Sequence, residues 1–241
     1  MEKENNSNIV MKSDYSIPIA IVLAGIIIAG AMFFSNTKKT DDSLPTKNVA
    51  QQGPSLDQLR PVSDSDHIRG NPNATIIVVE YSDTECPFCS RFHTTMKQIM
   101  DEYGKDGKVA WVYRHSPLDN LHPKSRKEAV ALECANELGG NDKFWEYTDR
   151  IYEITPANNG LDPAELPKIA EYVGLDVSKF NTCLASGKYE SKIESDVQNA
   201  QATGGTGTPW SIVVTKSGSK TSLNGAYPYA SVKQIIDTLL K

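Results

Sequence analysis

Cysteine is scarce, with four residues in a chain of 241. That excludes a small disulfide-dense scaffold, although an even number invites pairing. An excess of positive charge is also missing: 25 lysines and arginines stand against 30 acidic residues, for a formal net charge of −5. This argues against a nucleic-acid binder held by a basic face. No internal repeat or low-complexity array is visible, and no second CxxC completes a four-cysteine zinc site. What remains is 39% hydrophobic and 23% charged, an ordinary globular composition of one or two domains.

One long apolar run interrupts that composition. Ile17 to Phe34 holds no charged residue. Its 18 residues would make a helix of about 27 Å, close to the hydrocarbon thickness of a bilayer. Pro18 sits in the first turn, where its missing N–H costs no intrahelical bond. A buried core helix would need covering surface, and the polar flanks offer none. The run therefore reads as a membrane segment. Ala29-Gly30-Ala31 has the small-x-small form of a cleavage site, so a cleaved signal peptide is the alternative. The continuation to Phe34 favours an uncleaved anchor. Lys3 and Lys12 before the run and Lys38, Lys39 and Lys47 after it leave the orientation undecided by charge.

The chain thus divides into a short tail (1–16), the membrane segment (17–34), a polar aperiodic linker (35–58) and a folded domain (59–241). Thr75 to Tyr81 is mostly apolar on both faces and suits a central strand. A helix follows, with Phe88, Phe92, Met96, Ile99 and Tyr103 at helical spacing. Val109–Tyr113 is a second strand, so the start is a βαβ unit with a partly parallel sheet. A helical block follows, about 116–204. Ala131, Cys134, Ala135 and Leu138 form one stripe, ended by Gly139-Gly140. Asn141 or Asp142 should cap the next helix, which carries Phe144, Tyr147, Ile151 and Ile154. Shorter helices are expected around 163–173, 177–186 and 189–200. Trp210–Thr215 and Thr221–Asn224 form a hairpin, and Ser231 with Gln234 signs the last helix as a capping box. The order is βαβ, helical block, ββα.

Cys86-Pro87-Phe88-Cys89 lies between the buried strand and its helix. Pro87 suits the first helical position, which puts Cys86 at or beside the N-cap. There, unpaired N–H groups and the positive helix end stabilise a thiolate, the nucleophile of disulfide exchange. Cys89, nearly one turn in, is placed to resolve a mixed disulfide on Cys86. The competing reading is a metal-binding module made of Cys86, Cys89 and His93, which lacks a nearby fourth ligand. For His93 alone, a solvated or partly packed helix residue is the simpler expectation. Two further features favour redox chemistry. Thr208-Pro209 opens a distant strand after a glycine-rich turn and suits either a tolerated strand-start proline or a cis bond presented to the CxxC. Glu80, six residues before Cys86, is either an outward strand residue or a buried carboxylate with raised pKa, a proton acceptor beneath the disulfide.

Val79-Glu80-Tyr81-Ser82-Asp83 leading into Cys-Pro-Phe-Cys, a helical block, and then Gly207-Thr208-Pro209 together resemble the DsbA-like branch of the thioredoxin superfamily. The resemblance runs from about Val62 to Lys241. Lys143–Tyr147 and Cys183–Tyr189 resemble the family's helical insert less specifically. The family implies a thioredoxin fold of class α/β with an inserted helical domain, here preceded by one transmembrane helix. It implies Cys86 as attacking thiol, Cys89 as resolving thiol and Glu80 as buried acid. Thr208, Pro209, Pro87 and Phe88 would meet substrate, with no metal or organic cofactor. Phe88 departs from the pattern, because the best-known members carry histidine there. A phenyl ring cannot donate a hydrogen bond or positive charge to the Cys86 thiolate. The expected protein is a membrane-anchored, extracytoplasmic thiol-disulfide oxidoreductase. It would donate disulfides to exported proteins with free thiols and be reoxidised by a partner. A reductase or isomerase of the same fold is the alternative.

Cys134 and Cys183 remain, each on the apolar face of an expected helix. They are either buried free thiols acting as small hydrophobes or a structural disulfide across the inserted block.

Overall fold

A chain rich in β-branched residues between Thr75 and Tyr81 has two apolar faces to cover, and the fold is organised around that requirement. The computed structural model describes residues 53–241. The apolar run 17–34 and most of the linker lie outside the described residues. Among the described residues, no helix is long and apolar enough to cross a membrane.

The sheet has five strands: β1 (His67–Gly70), β2 (Ile76–Ser82), β3 (Val109–His115), β4 (Trp210–Thr215) and β5 (Lys220–Asn224). Their order is β1-β3-β2-β4-β5, with β2 and β3 parallel and every other pair antiparallel. Central β2 alternates its side chains between two cores. Ile76 and Val78 face a large cluster with Cys89, Phe92, Met96 and Trp111. Val79 and Tyr81 face a second one with Val112, Ala200, Trp210 and Ile212.

Helix α1 (Pro87–Ile99) follows β2, ends in a π-turn at Met100–Gly104, and leads to β3. The block between β3 and β4 comprises α2 (Ser125–Ile154), α3 (Glu165–Tyr172), α4 (Val177–Leu184) and α5 (Glu190–Ala202). Helix α6 (Tyr229–Leu239) closes the chain. The parallel β2/β3 pair fixes α1 as its crossover, which places the Cys86 end of α1 at the carboxyl edge of β2.

Four details differ from the sequence expectation. The edge strand β1 has no counterpart in the sequence pattern: His-Ile-Arg-Gly is too short to show alternation, and β3 holds it in place from Tyr113 to Ala110. Folded structure also begins inside the expected linker. Leu56–Gln58 form a 3₁₀ turn, and the Ser55 N–H bonds the Ala202 carbonyl at 2.9 Å. The break expected at Gly139-Gly140 does form: Gly140, with a φ of 74° that only glycine adopts cheaply, is non-helical and divides α2 into two helices across a kink. Asn141 grips β1 rather than capping: its side chain accepts from Ile68 N–H (3.0 Å) and donates to Ile68 C=O (2.8 Å). Finally, α6 starts at Tyr229 with Pro228 as N-cap, and no side chain caps it, so the Ser231/Gln234 box is not used.

Cys134 on α2 and Cys183 on α4 are joined by a disulfide, with Cα atoms 5.8 Å apart and 49 residues apart in sequence. Closing a loop of that length removes unfolded-state entropy worth on the order of 4 kcal/mol. Replacing both cysteines by alanine should therefore lower the melting temperature by roughly 10 °C, as followed by calorimetry. A shift of under about 2 °C would show that the bridge adds nothing to stability.

Candidate active site

The loop Asp83-Thr84-Glu85 carries the chain from β2 into α1, and Asp83 shapes it. One carboxylate oxygen accepts from Glu85 N–H at 2.8 Å. The other accepts from Leu118 N–H (2.8 Å) and lies 2.9 Å from His122 Nδ1. Cys86 is the N-cap of α1 and Pro87 occupies the first turn. Both Cys86 and Cys89 are free thiols in this structure.

The two sulfurs sit in different electrostatic settings. Cys86 is pulled down to about 6, first by its hydrogen bond with the Cys89 thiol. Burial opposes the shift, while Thr208 and the backbone N–H groups of Phe88 and Cys89 assist it. Its thiol also lies 3.4 Å from the Thr208 carbonyl. Cys89 has no exposed surface, and burial pushes its thiol far up. The Asp83 N–H points at its sulfur from 3.5 Å.

Glu80 is fully buried, and desolvation raises its carboxyl to about 7, against the lowering effect of nearby Ser82 and Trp111. Trp111 Nε1 donates to Oε2 at 2.9 Å, whereas Oε1 has no partner. Beside it, Ser82 Oγ lies 2.9 Å from the Tyr152 hydroxyl, which donates to the Asp83 carbonyl at 3.3 Å.

Thr208-Pro209 is a cis peptide bond, and its carbonyl on the Thr208 side faces Cys86. Phe88 is 51% exposed on the rim, with the Arg91 guanidinium 4.6 Å from its ring centroid. A cation thus stands next to the site although the ring itself carries none. A cleft of about 540 Å³ opens beside Gly207, walled by Leu118, Leu121, Val197 and Ala200. The structure thus brings together Cys86, Cys89, Glu80, Pro87, Phe88, Thr208 and Pro209. Cys134 and Cys183 form their separate bridge within the inserted block.

His93 does not join the two cysteines. It is buried, not solvated, and its Nε2 lies 2.8 Å from Asp149. Among the described residues, the one trio whose ligand atoms cluster within 4.8 Å is His67, His115 and Glu133, all buried. Glu133 Oε1 lies 2.7 Å from His67 Nε2, 2.8 Å from His115 Nε2 and 2.7 Å from the Lys192 ammonium, which supplies a counter-charge. Sequence reasoning missed this knot, as it missed Ser82, Tyr152 and the buried pair Glu85 and Glu128. Burial, with Glu85 beside it, holds Glu128 at about 8. No local signal marks these groups, because their partners lie on elements far apart in sequence.

A family model described as Thioredoxin matches residues 63–237. Among curated proteins, the Na(+)/H(+) antiporter NhaA 3 of Salinispora tropica is 36% identical over 155 residues, covering 64% of this chain and 22% of that one. The Na(+)/H(+) antiporter NhaA 1 of Mycolicibacterium gilvum is 32% identical over 191 residues, covering 78% and 29%. The chain therefore spans less than a third of the length of these relatives. Among solved structures, Pseudomonas aeruginosa DsbA2 superposes with TM-score 0.64 at 28% identity, over 74% of this chain and 97% of that one. Bacillus subtilis BdbD in its oxidised form gives 0.63 at 21% identity, over 78% and 96%. The match across residues 63–237 shows that this chain belongs to the thioredoxin family, and its helical insert is shared with solved DsbA-type proteins.

Proposed function

We propose that this protein is a thiol-disulfide oxidoreductase that donates a Cys86–Cys89 disulfide to exported proteins carrying free thiols. The observation that carries the reading is the electrostatic split between the two sulfurs. Cys86 is favoured as a thiolate at the start of α1, and Cys89 is held as a buried thiol three residues away. Stabilising the Cys86 thiolate stabilises the reduced enzyme, so the oxidised form gives up its disulfide readily. A substrate thiolate attacks Cys86, the mixed disulfide forms, and a second substrate thiol releases reduced enzyme. Thr208 and Pro209 offer backbone to the substrate chain beside Cys86, and Phe88 and Pro87 form the rim it crosses. The chemistry needs no metal or organic cofactor and no nucleic acid. It does need a partner that restores the disulfide.

Ile17–Phe34 would anchor the chain in the cytoplasmic membrane, with the folded domain outside. Its length supports this, and so does the Cys134–Cys183 bridge, which suits an oxidising compartment. Full-length protein should stay with membranes after alkaline carbonate washing, while protein beginning at Gly53 should be soluble. Expression of the full chain that yields soluble protein at a mass lacking roughly the first 31 residues would instead mark a cleaved signal.

Cys86→Ser should abolish oxidation of a peptide dithiol, and Cys89→Ala should accumulate mixed disulfides. The thiolate absorbance of the reduced enzyme should titrate near pH 6. In glutathione buffers the reduction potential should fall between roughly −180 and −120 mV, and a value near about −270 mV would favour the reductase reading.

The buried acid gives a separate check. An unfolded-chain glutamate titrates near 4.5, whereas Glu80 titrates at about 7. Below 4.5 both states are protonated and the group contributes nothing. As pH rises towards 7 the unfolded chain loses its proton first, so the native state loses stability. The full cost, on the order of 3 kcal/mol, is present above the folded value. Glu80→Gln should therefore raise the melting temperature at pH 8 by roughly 5 °C or more, with no effect at pH 4. Equal shifts at both pH values would return Glu80 to an ordinary packing role.

A further inference from the structure

When a substrate thiolate attacks Cys86, Cys89 departs as a thiolate with no exposed surface, and it needs a proton. Glu80 can hold that proton. Its carboxyl group is tethered by Trp111, so delivery requires an intermediate group that both accepts and donates. The polar groups around the two residues sort on that criterion. Trp111 Nε1 only donates, and so does the Asp83 backbone N–H. The hydroxyls of Ser82, Tyr113 and Tyr152 do both, and of the three Ser82 is the one that acts as a hydrogen-bonding dipole on Glu80 and Cys89 alike.

Ser82 is also in the right place. Glu80 and Ser82 are two residues apart on β2, so they share the face that sets Ile76 and Val78 against α1. The Asp83 N–H on the Cys89 sulfur places that sulfur at the residue following Ser82. Tyr152, reaching in from α2, lies 2.9 Å from Ser82 Oγ and 3.3 Å from the Tyr113 hydroxyl. Glu80 Oε1 is buried and unpartnered, leaving one carboxyl oxygen free for the exchange. The Ser82 hydroxyl favours the ionised form of both Glu80 and Cys89, as a dipole beside both groups would.

We infer that the Ser82 hydroxyl, steered by Tyr152, is the proton relay between the Glu80 carboxyl group and the Cys89 sulfur. The inference rests on the disulfide-donating function proposed above. As the substrate sulfur bonds to Cys86 Sγ, the Cys86–Cys89 bond breaks and its electron pair stays on Cys89. Ser82 gives its hydroxyl proton to that sulfur and takes the Glu80 proton, leaving a carboxylate and a neutral thiol. The titratable groups facing the relay are Cys86 and Cys89 on α1, Glu80 on β2, Tyr113 on β3, Tyr152 on α2 and Asp83 in the loop. Burial keeps both tyrosines protonated, so neither drains the proton. His93 on α1 stacks on Tyr152 at 4.5 Å, and its Nε2 is held by Asp149.

The test is stopped-flow reduction of the oxidised full-length protein by a peptide dithiol between pH 5.5 and 9. Ser82→Ala should slow the reaction on the order of 100-fold below pH 7, where Glu80 is protonated, and less above it. Ser82→Thr, which keeps a hydroxyl, should recover most of the rate. Tyr152→Phe should lie between wild type and Ser82→Ala, because the relay persists without its guide. The Cys86 thiolate titration should be the same in Ser82→Ala as in wild type. Three results would overturn the relay: a Ser82→Ala rate matching wild type across the range, a Ser82→Thr variant as slow as Ser82→Ala, or a Cys86 titration displaced along with the rate. A wild-type protein that fails to oxidise the dithiol sinks the proposed function itself. That outcome is read from wild type alone.

Discussion

Burial of the Cys89 sulfur at the seam between β2 and α1 is the constraint on which the site turns. A thiol with no access to water stays protonated, so the charge of the pair is carried by Cys86. That in turn requires the favoured sulfur to sit where charge is stabilised, and the N-cap of α1 provides it. Pro87 fixes the first turn without wasting an N–H, and the parallel β2/β3 pair fixes where α1 begins. The geometry of two sulfurs is therefore a consequence of sheet topology.

A second constraint is the amount of ionisable chemistry placed out of water. Arg114 is buried with its guanidinium on Asp66, at 2.8 and 3.0 Å, and on the carbonyls of Arg60 and Pro61. Glu133 collects His67, His115 and Lys192. Such groups add little stability over an apolar core, but removing one partner strands the other at a cost of several kcal/mol. They specify one arrangement: Arg114 ties β3 to the segment before β1, and Glu133 ties α2 to β1, β3 and α5. Glu80 differs because its free oxygen has no such partner. A buried carboxyl with an unpartnered oxygen and a raised pKa marks a candidate functional site.

The candidate site was legible because its signals are local. Cys86-Pro87 is an N-cap signature, Glu80 interrupts an apolar strand, and Thr208-Pro209 follows a glycine turn. The βαβ and ββα halves could be read because their strands are long enough to show a period, as β2 is. β1 could not, since four residues carry no alternation, and its position comes from β3 and from the Asn141 side chain. The Ser231/Gln234 motif misled because Pro228, already in extended conformation, starts the helix a turn earlier. His93 reads as a solvated or partly packed helix residue because nothing in its neighbourhood announces Asp149, 56 residues away. Ser82 sat in plain view, but its meaning depends on Tyr152, 70 residues on.

That last pairing bears on what the helical insert does. Its α2 sends Tyr152 to Ser82 and Asp83, and Glu128 to Thr84, whose hydroxyl it receives at 2.6 Å. The loop after α2 docks on Glu85, one residue before Cys86. Asn158 N–H meets the Glu85 carbonyl, and Gly160 and Leu161 N–H meet its carboxylate. Ala157, Asn158 and Asn159 all adopt positive φ to make that approach, a conformation costly for residues with a Cβ. An insert that merely covered the sheet would not need such a turn against the residues leading into the CxxC. Its position holds the β2–α1 loop, and therefore the N-cap that favours the Cys86 thiolate. The insert and the thioredoxin core are in this sense one electrostatic unit. A substitution in the 157–161 turn would act on the two sulfurs through Glu85 rather than through any contact with substrate.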